Sequence, residues 1–258
     1  MVYKDLVSIV MPSYNTASFI AEAIHSVLAQ TYENWELLIV DDCSSDSTEE
    51  VISPFLSDPR IRYLKNEHNS GAAITRNRAI REARGEWIAF LDSDDVWLPE
   101  KLERQLAFMA DHGYRFSCTS CRVIGENSEL LGRKYKSPRR ITCCGLHMYN
   151  WLSCLTVMYH APTVGVVQIA DLKKRNDYAL WLKVIRYCDC YYLDEVLAQY
   201  RVRRSSVSHD NLGKLLRAHY KMFRKSEGYG ILSSLALTGI NVICGILKKT
   251  IFVVNDMV

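Results

Sequence analysis

Three aspartates fall within four residues, Asp92-Ser-Asp94-Asp95, directly after the apolar run Trp87-Ile-Ala-Phe-Leu91. Carboxylates this close repel one another unless a cation relieves them, and hard oxygen ligands suit Mg²⁺ or Mn²⁺. A cation held by one or two carboxylates keeps positions open for phosphate oxygens. The plainer alternative is a solvated turn in which Asp94 or Asp95 caps the next helix. Asp41-Asp42 repeats the pattern after Trp35-Glu-Leu-Leu-Ile-Val40. A hairpin or cap would explain one of that pair, and the other could accept a hydrogen bond from the N–H of a base. Tyr14, within Pro12-Ser-Tyr-Asn15, offers an aromatic face on which a base could stack. Arg76 opens a helical run, where it could hold a diphosphate or make a surface salt bridge. Asp177 follows Asn176 ahead of another helical run, as an N-cap or as a general base.

The elements that carry these residues alternate. Val7-Ser-Ile-Val-Met11, Trp35–Val40, Arg60–Lys65 and Trp87–Leu91 read as strands. Between them, Phe19, Ile20, Ala23, Ile24, Val27 and Leu28 recur at helical spacing, Ser47-Thr-Glu-Glu opens a second helix, and residues 72–83 form a third closed by Gly85. Pro99 starts a helix that buries Leu102, Leu106 and Met109. Strands alternating with helices imply βαβ units and a mainly parallel sheet with helices on both faces. In such sheets ligands bind beyond the carboxyl ends of the strands. The polar clusters at 12–15, 41–42 and 92–95 therefore belong on one rim. Residues 126–140 read as a mobile polar loop, residues 151–167 as apolar and partly β-like, and residues 177–187 as a helix with Leu180, Trp181, Val184 and Ile185 inward.

With 258 residues, 48% hydrophobic and 24% charged, the chain can bury a large core, which excludes a disordered tail protein. Twelve Gly and six Pro exclude a collagen-like chain, and a net charge of +3 makes no case for nucleic acid. The N-terminus lacks the basic, apolar and small-residue regions of a signal peptide. Nine cysteines, an odd number, read as free thiols in a reducing cytoplasm. Cys118-Thr-Ser-Cys121 has zinc-knuckle spacing that Cys143, Cys144 and His147 could complete, but its apolar setting favours buried thiols on a strand. Neither Gly-x-Gly-x-x-Gly nor Gly-x-x-x-x-Gly-Lys-Ser/Thr occurs, so a diphosphate would be held by metal rather than by a glycine cradle.

Five segments, in order, resemble glycosyltransferase family 2 and its GT-A fold over residues 5–208. They are Val7-Ser-Ile-Val-Met-Pro-Ser-Tyr-Asn15, Leu38-Ile-Val-Asp-Asp-Cys-Ser-Ser-Asp-Ser-Thr48, Gly71-Ala-Ala-Ile-Thr-Arg-Asn77, Phe90-Leu-Asp-Ser-Asp-Asp-Val-Trp97 and Asn176-Asp-Tyr-Ala-Leu-Trp181. The resemblance implies an inverting, metal-dependent transferase of a UDP-sugar. It puts Pro12 and Tyr14 at the uracil pocket, Asp42 on the uracil ring and Arg76 near the nucleotide. Asp92-Ser-Asp94 would be the Asp-x-Asp motif, with Asp94 the main ligand of Mn²⁺ or Mg²⁺ and Asp92 near the ribose. Asp177 would be the base, although the family often has Glu where this chain has Asn176. Tyr200-Arg-Val-Arg-Arg-Ser-Ser-Val-Ser208 is similar to the loop that closes over the donor, which makes Arg201 a further candidate. Cys154-Leu-Thr-Val-Met-Tyr159 and Lys174-Arg-Asn-Asp-Tyr-Ala-Leu-Trp-Leu182 resemble bacterial enzymes that build O-antigen or capsule units. Those act on undecaprenyl-diphosphate-linked sugars, several adding β-1,3-linked glucose or galactose to GlcNAc or GalNAc. Two other readings compete: a haloacid-dehalogenase-like phosphatase with Asp92-x-Asp94 as its nucleophile motif, and a non-catalytic scaffold.

Residues 209–258 read as a separate basic and apolar extension. From Arg201 onward ten Lys/Arg face three acids, a charge of +7 that leaves −4 for residues 1–200. Residues 231–247 carry no charge and would make a helix of about 26 Å, short of the ~30 Å hydrocarbon core. Lying at the inner-membrane surface, on the cytoplasmic face, is favoured over spanning, with a packed core helix as the remaining alternative.

Overall fold

The computed structural model describes residues 2–203 and 212–255. The chain runs β1 (Tyr3–Ser13), α1 (Ile20–Leu28), β2 (Trp35–Asp41), α2 (Thr48–Ile52), β3 (Ile61–Lys65), α3 (Ala72–Glu82), β4 (Gly85–Phe90), β5 (Val96–Trp97) and α4 (Lys101–His112). It continues through β6 (Phe116–Ile124), β7 (Leu130–Tyr135), β8 (Arg140–Ile141), α5 (Cys143–Met148), β9 (Met158–His160), α6 (Ala161–Val164), α7 (Asn176–Val184) and β10 (Cys190–Arg201). The last elements are α8 (Leu212–Lys225), α9 (Ile231–Ile251) and β11 (Val253–Asn255).

The strands form one mixed sheet in the order β11-β7-β6-β9-β4-β1-β2-β3. β1 pairs in parallel with β2 and β4, and β2 with β3, so the expected parallel half is present. Beyond β4 the sheet turns antiparallel through β9, β6, β7 and β11, while β10 runs parallel to β6. Strand alternation divides the core. Val7, Ile9 and Met11 pack with α1 and α4 on one face, whereas Val10, Val40, Phe90 and Trp181 pack on the other. α1 buries Ile20, Ala23, Ile24 and Val27, one helical stripe, and α4 ends at Gly113, whose φ of 68° suits the left-handed C-cap.

Residues 126–140 are not a loop: they supply β7 and β8. β7 lies near the sheet edge, mostly exposed, so it lacks the alternation that marks a strand. Its partners are β6 and, from the far end of the chain, β11, with Val253 opposite Tyr135. Cys118 and Cys121 are three positions apart on β6, which sends them to opposite faces, and each sits in a different core cluster. A shared zinc ion is therefore excluded for that pair. Lys101, on the expected polar side of α4, is fully buried with its ammonium 3.9 Å above the Trp97 ring.

The C-terminal elements pack on the body. Met222 and Phe223 of α8 are fully buried in the main core. α9 buries Ser234, Thr238, Asn241 and Cys244, and Asn241 donates to the His147 carbonyl at 3.0 Å. Lys248, expected among the charges facing the headgroups, turns inward instead and donates to the Asn150 and Trp151 carbonyls at 3.2 and 3.4 Å. The boundary expected between 208 and 209 lies outside the described residues.

Candidate functional site

The carboxyl ends of β1, β2 and β4 open into one cavity of about 510 Å³. Pro12, Tyr14, Asp42, Arg76, Asp92, Asp94, Asp177 and Arg201 all line it, so the residues that the resemblance offers for nucleotide, metal and base meet there, whereas Asp41 and the cysteine–histidine set lie elsewhere. The rim is held by short loops with strained backbone. Asn15 (φ 50°) and Cys43 (φ 62°) are left-handed, and Asn15 is tied to the next strand's loop by Ser44 Oγ and Ser45 N. Tyr14 is about half exposed, leaving its ring free to meet a ligand.

The two acids after β2 divide their tasks. Asp41 is buried and accepts from Ser44 Oγ at 2.5 Å and Tyr63 Oη at 3.0 Å, which is the turn role. Asp42 lines the cavity and accepts from Ser70 N, Gly71 N and Asn66 Nδ2 at 2.7–2.8 Å. Gly71 has φ 86°, a conformation a side chain resists, which turns the chain so that its N–H reaches Asp42 as α3 begins.

Arg76 is buried and is not a surface salt bridge. Its Nη2 lies 2.5 Å from Asp92 Oδ1, and its Nη1 donates to Asn176 Oδ1. It joins the acidic turn to the start of α7, a hundred residues away. Asn176 thus serves Arg76 as a neutral acceptor. Helix α7 starts at Asn176 with Arg175 as its capping residue, so Asp177 sits in the first turn and is not the N-cap. Its Oδ2 receives Asn150 Nδ2 at 3.5 Å.

The acidic turn is crowded. Burial, and next the Asp92 charge, hold the Asp94 carboxyl above the usual carboxylate range. Burial followed by Asp94 and Asp92 pushes Asp95 well up, although Asp95 Oδ1 accepts the Arg201 N–H at 2.8 Å. Asp95 therefore braces β10 and caps no helix. Asp94 Oδ2 meets Arg203 Nε at 2.8 Å. Arg201 is committed to the protein: it bonds Glu22 Oε2 at 2.5 Å, the Asp94 carbonyl at 2.7 Å and the Gly125 and Glu126 carbonyls at 3.1 Å. It locks β10 against the acidic turn.

The sequence reading did not single out Arg203, Cys154, Asn150, Lys173 or Arg175. Arg203 stands two positions past Arg201, so the period of the preceding strand points both toward the same side, a usable signal. Lys173-Lys-Arg175 immediately precedes Asn176-Asp177, a charge run against a candidate base. Cys154 and Asn150 had no local signal. The remainder of the loop expected over the donor, 204–208, lies outside the described residues.

Comparison with known proteins agrees with this geometry. A family model described as glycosyl transferase family 2 matches residues 8–165. A protein of Escherichia coli named UDP-Glc:alpha-D-GlcNAc-diphosphoundecaprenol beta-1,3-glucosyltransferase WfgD is 40% identical over 217 residues, 82% of this chain and 83% of that protein. TuaG of Bacillus subtilis (strain 168), which bears the name of a teichuronic acid biosynthesis glycosyltransferase, is 37% identical over 227 residues, 87% of this chain and 90% of its own. Among solved structures, S. aureus TarS 1-349 in complex with UDP-GlcNAc superposes with a TM-score of 0.71 at 19% identity, over 90% of this chain and 70% of that one, a likeness of fold. The phosphatase and scaffold readings end here. With its GT-A-like sheet, its acidic turn at the sheet rim and this match, the chain belongs to glycosyl transferase family 2 and is a glycosyltransferase.

Proposed function

We propose that the chain is an inverting hexosyltransferase. It moves glucose or galactose from a UDP-sugar to a GlcNAc or GalNAc carried on undecaprenyl diphosphate, forming a β-1,3 linkage in O-antigen or capsular polysaccharide units. The observation that carries this reading is that one cavity is lined by Asp92 and Asp94 together with Asp177, with Arg76 bridging Asp92 to Asn176 beside it. The name of the WfgD relative supports the donor and acceptor class.

In this reading Tyr14 stacks on the uracil, with Pro12 beside it, and Asp42 accepts from the ring N–H. Asp42 keeps acceptor capacity beyond its three protein bonds, because a carboxylate offers about four lone-pair sites. Asp92, oriented by Arg76, stands by the ribose. Asp92 and Asp94 offer hard oxygens; burial first and then the Asp92 charge hold Asp94 up, and a divalent cation would offset both. Mn²⁺ or Mg²⁺ held there would neutralise the leaving diphosphate. Asp177 takes the acceptor hydroxyl proton as its oxygen bonds the anomeric carbon, and the bond to the diphosphate breaks with its electron pair leaving on UDP. Attack opposite the leaving group converts an α-linked donor to a β-linked product. Asn150 holds the unused side of the Asp177 carboxylate.

The C-terminus suits a membrane surface. α9 has 21 residues, about 31 Å. Its 231–248 stretch has a mean hydropathy of 1.7 with 22% buried. Leu232, Leu235, Ile243, Ile246 and Leu247 are exposed along it, while the polar side packs on the body. Lys214, Arg217, Lys221, Arg224 and Lys225 of α8 are exposed. An apolar stripe beside a basic row fits peripheral binding to anionic lipid better than a span, which would carry Ser234, Thr238 and Asn241 through hydrocarbon. The decisive experiment screens UDP-sugars on synthetic GlcNAc- and GalNAc-diphosphate-lipids and reads the product linkage by NMR. A β-1,3-linked hexose is expected, and transfer only to unrelated acceptors would overturn the reading.

A further inference from the structure

Among the described residues the cavity is lined by six cationic side chains, Lys174 included, and the other five fall into two groups. Arg76, Arg201 and Arg203 are each paired with a carboxylate, Asp92, Glu22 and Asp94 respectively. Lys173 and Arg175 line the same cavity just before Asp177 and have no carboxylate partner among the described residues. Arg175 also holds a left-handed backbone, φ 62° and ψ 24°. That conformation costs a residue with a side chain on the order of 1 kcal/mol, and strain of this kind collects at ligand sites.

The acceptor's chemistry says what such a pair could hold. Its attacking hydroxyl must meet Asp177, and the anomeric carbon of the same ring carries the diphosphate. Hydroxyl and anomeric oxygen lie across one pyranose ring, so the diphosphate sits about one ring-width from Asp177. In the reading above, the donor's own diphosphate belongs at Asp92 and Asp94. Lys173 and Arg175, which line the cavity just before Asp177, match the two charges of a diphosphodiester.

Asp177 in turn connects to α9. Asn150 bonds Asp177 through its amide and Lys248 through its carbonyl. The Tyr149 ring lies against Gly245, 3.0 Å from where a Cβ would stand. The exposed apolar residues Ile243, Ile246 and Leu247 belong to this end of the helix. A lipid chain leaving the cavity on this side meets apolar surface at once.

We propose that Lys173 and Arg175 form the acceptor's diphosphate subsite, holding a lipid diphosphate with its sugar toward Asp177 and its chain along the exposed stripe of α9. This rests on the lipid-diphosphate acceptor reading above.

The test uses the full chain with UDP and Mn²⁺ at saturation, so that the donor diphosphate site is filled, and titrates farnesyl diphosphate by calorimetry. Binding is expected, weakened about tenfold by Lys173→Gln and about tenfold by Arg175→Gly, with UDP affinity unchanged. Glycine suits the left-handed position, so Arg175→Gly keeps the melting temperature, and Arg175→Lys retains most of the affinity. In transfer assays Arg175→Gly should raise KM about tenfold for GlcNAc-diphosphate-lipid and leave KM unchanged for GlcNAc on a neutral ether lipid. No binding of farnesyl diphosphate by the wild type, or equal losses on both acceptors, overturns the subsite. Inorganic diphosphate bound as tightly as farnesyl diphosphate overturns the lipid path. Farnesyl diphosphate bound as described, without turnover of either amino-sugar acceptor, upholds the subsite and overturns the acceptor-sugar reading instead.

Discussion

Arg76 and Asp92 form an ion pair inside the cavity, 2.5 Å apart, with the arginine buried and the aspartate about 30% exposed at its side chain. The arginine thereby orients the acidic turn, and its other nitrogen fastens Asn176. Removing one partner of a buried pair typically costs 3–5 kcal/mol, and less where the other charge keeps some water. Arg76→Met should destabilise the fold by about 2 kcal/mol in urea unfolding and abolish most transfer. A stable, active Arg76→Met protein would show that Asp92 needs no such support.

The base assignment is tested by Asp177→Asn, which keeps the shape and the Asn150 contact but cannot take a proton. Turnover should fall on the order of 10²- to 10⁴-fold while UDP binding stays nearly constant. The wild-type product from an α-linked donor should be β-linked. A rate within a few-fold of wild type, or an α-linked product, would remove Asp177 from this role.

Chelation addresses the acidic turn. EDTA should abolish transfer, and Mn²⁺ or Mg²⁺ should restore it. Asp94→Ala should retain its circular dichroism yet lose about a hundredfold or more of its activity, since charge stabilisation at the leaving group is lost. Full activity of Asp94→Ala in chelator contradicts a metal at this turn.

His219 on α8 supplies a pH signature of stability. Burial, with the Arg175 charge added, lowers its pKa from 6.5 to about 4. The ring is neutral in the fold, while the unfolded chain gains a proton below pH 6.5. Its contribution is therefore intact above 6.5 and is lost as pH falls toward 4. From pH 7 to 5 the loss is about 2 kcal/mol from this residue. His219→Phe should flatten that slope in urea titrations at the two pH values; parallel slopes would rule the effect out.

Membrane binding is better probed on the surface of α9 than by truncation. Ending the chain near Glu227 would strip α9 from Met222 and Phe223 and open the core. Ile243→Asp and Ile246→Asp, at residues 63% and 64% exposed, should leave folding intact. Sedimentation with anionic vesicles should fall about tenfold for each, and wild-type binding should weaken at high salt. Equal sedimentation of all forms would make α9 an ordinary packing helix.

The strand and helix periods of residues 7–109, the carboxylates at three strand ends and their common rim were legible because each is a local property. Periodicity needs only neighbours, and the parallel βαβ rule then puts the strand ends on one side. The partners of those carboxylates were not legible. Arg76 was as fit for a diphosphate as for a protein carboxylate, and its choice of Asp92 and Asn176 follows from α7 packing against α3 across a hundred residues. Arg201 looked like a ligand contact, yet its guanidinium is consumed by Glu22 and three backbone carbonyls from elements far apart in the chain. β7 had no pattern of its own, since an exposed strand near an edge takes its order from backbone pairing with β6 and the distant β11. Lys248 likewise reads as a headgroup contact until the helix rotates it onto two backbone carbonyls. Residue type and spacing set what each group can do; which partner it meets depends on long-range packing, and that sum of contacts has no local trace.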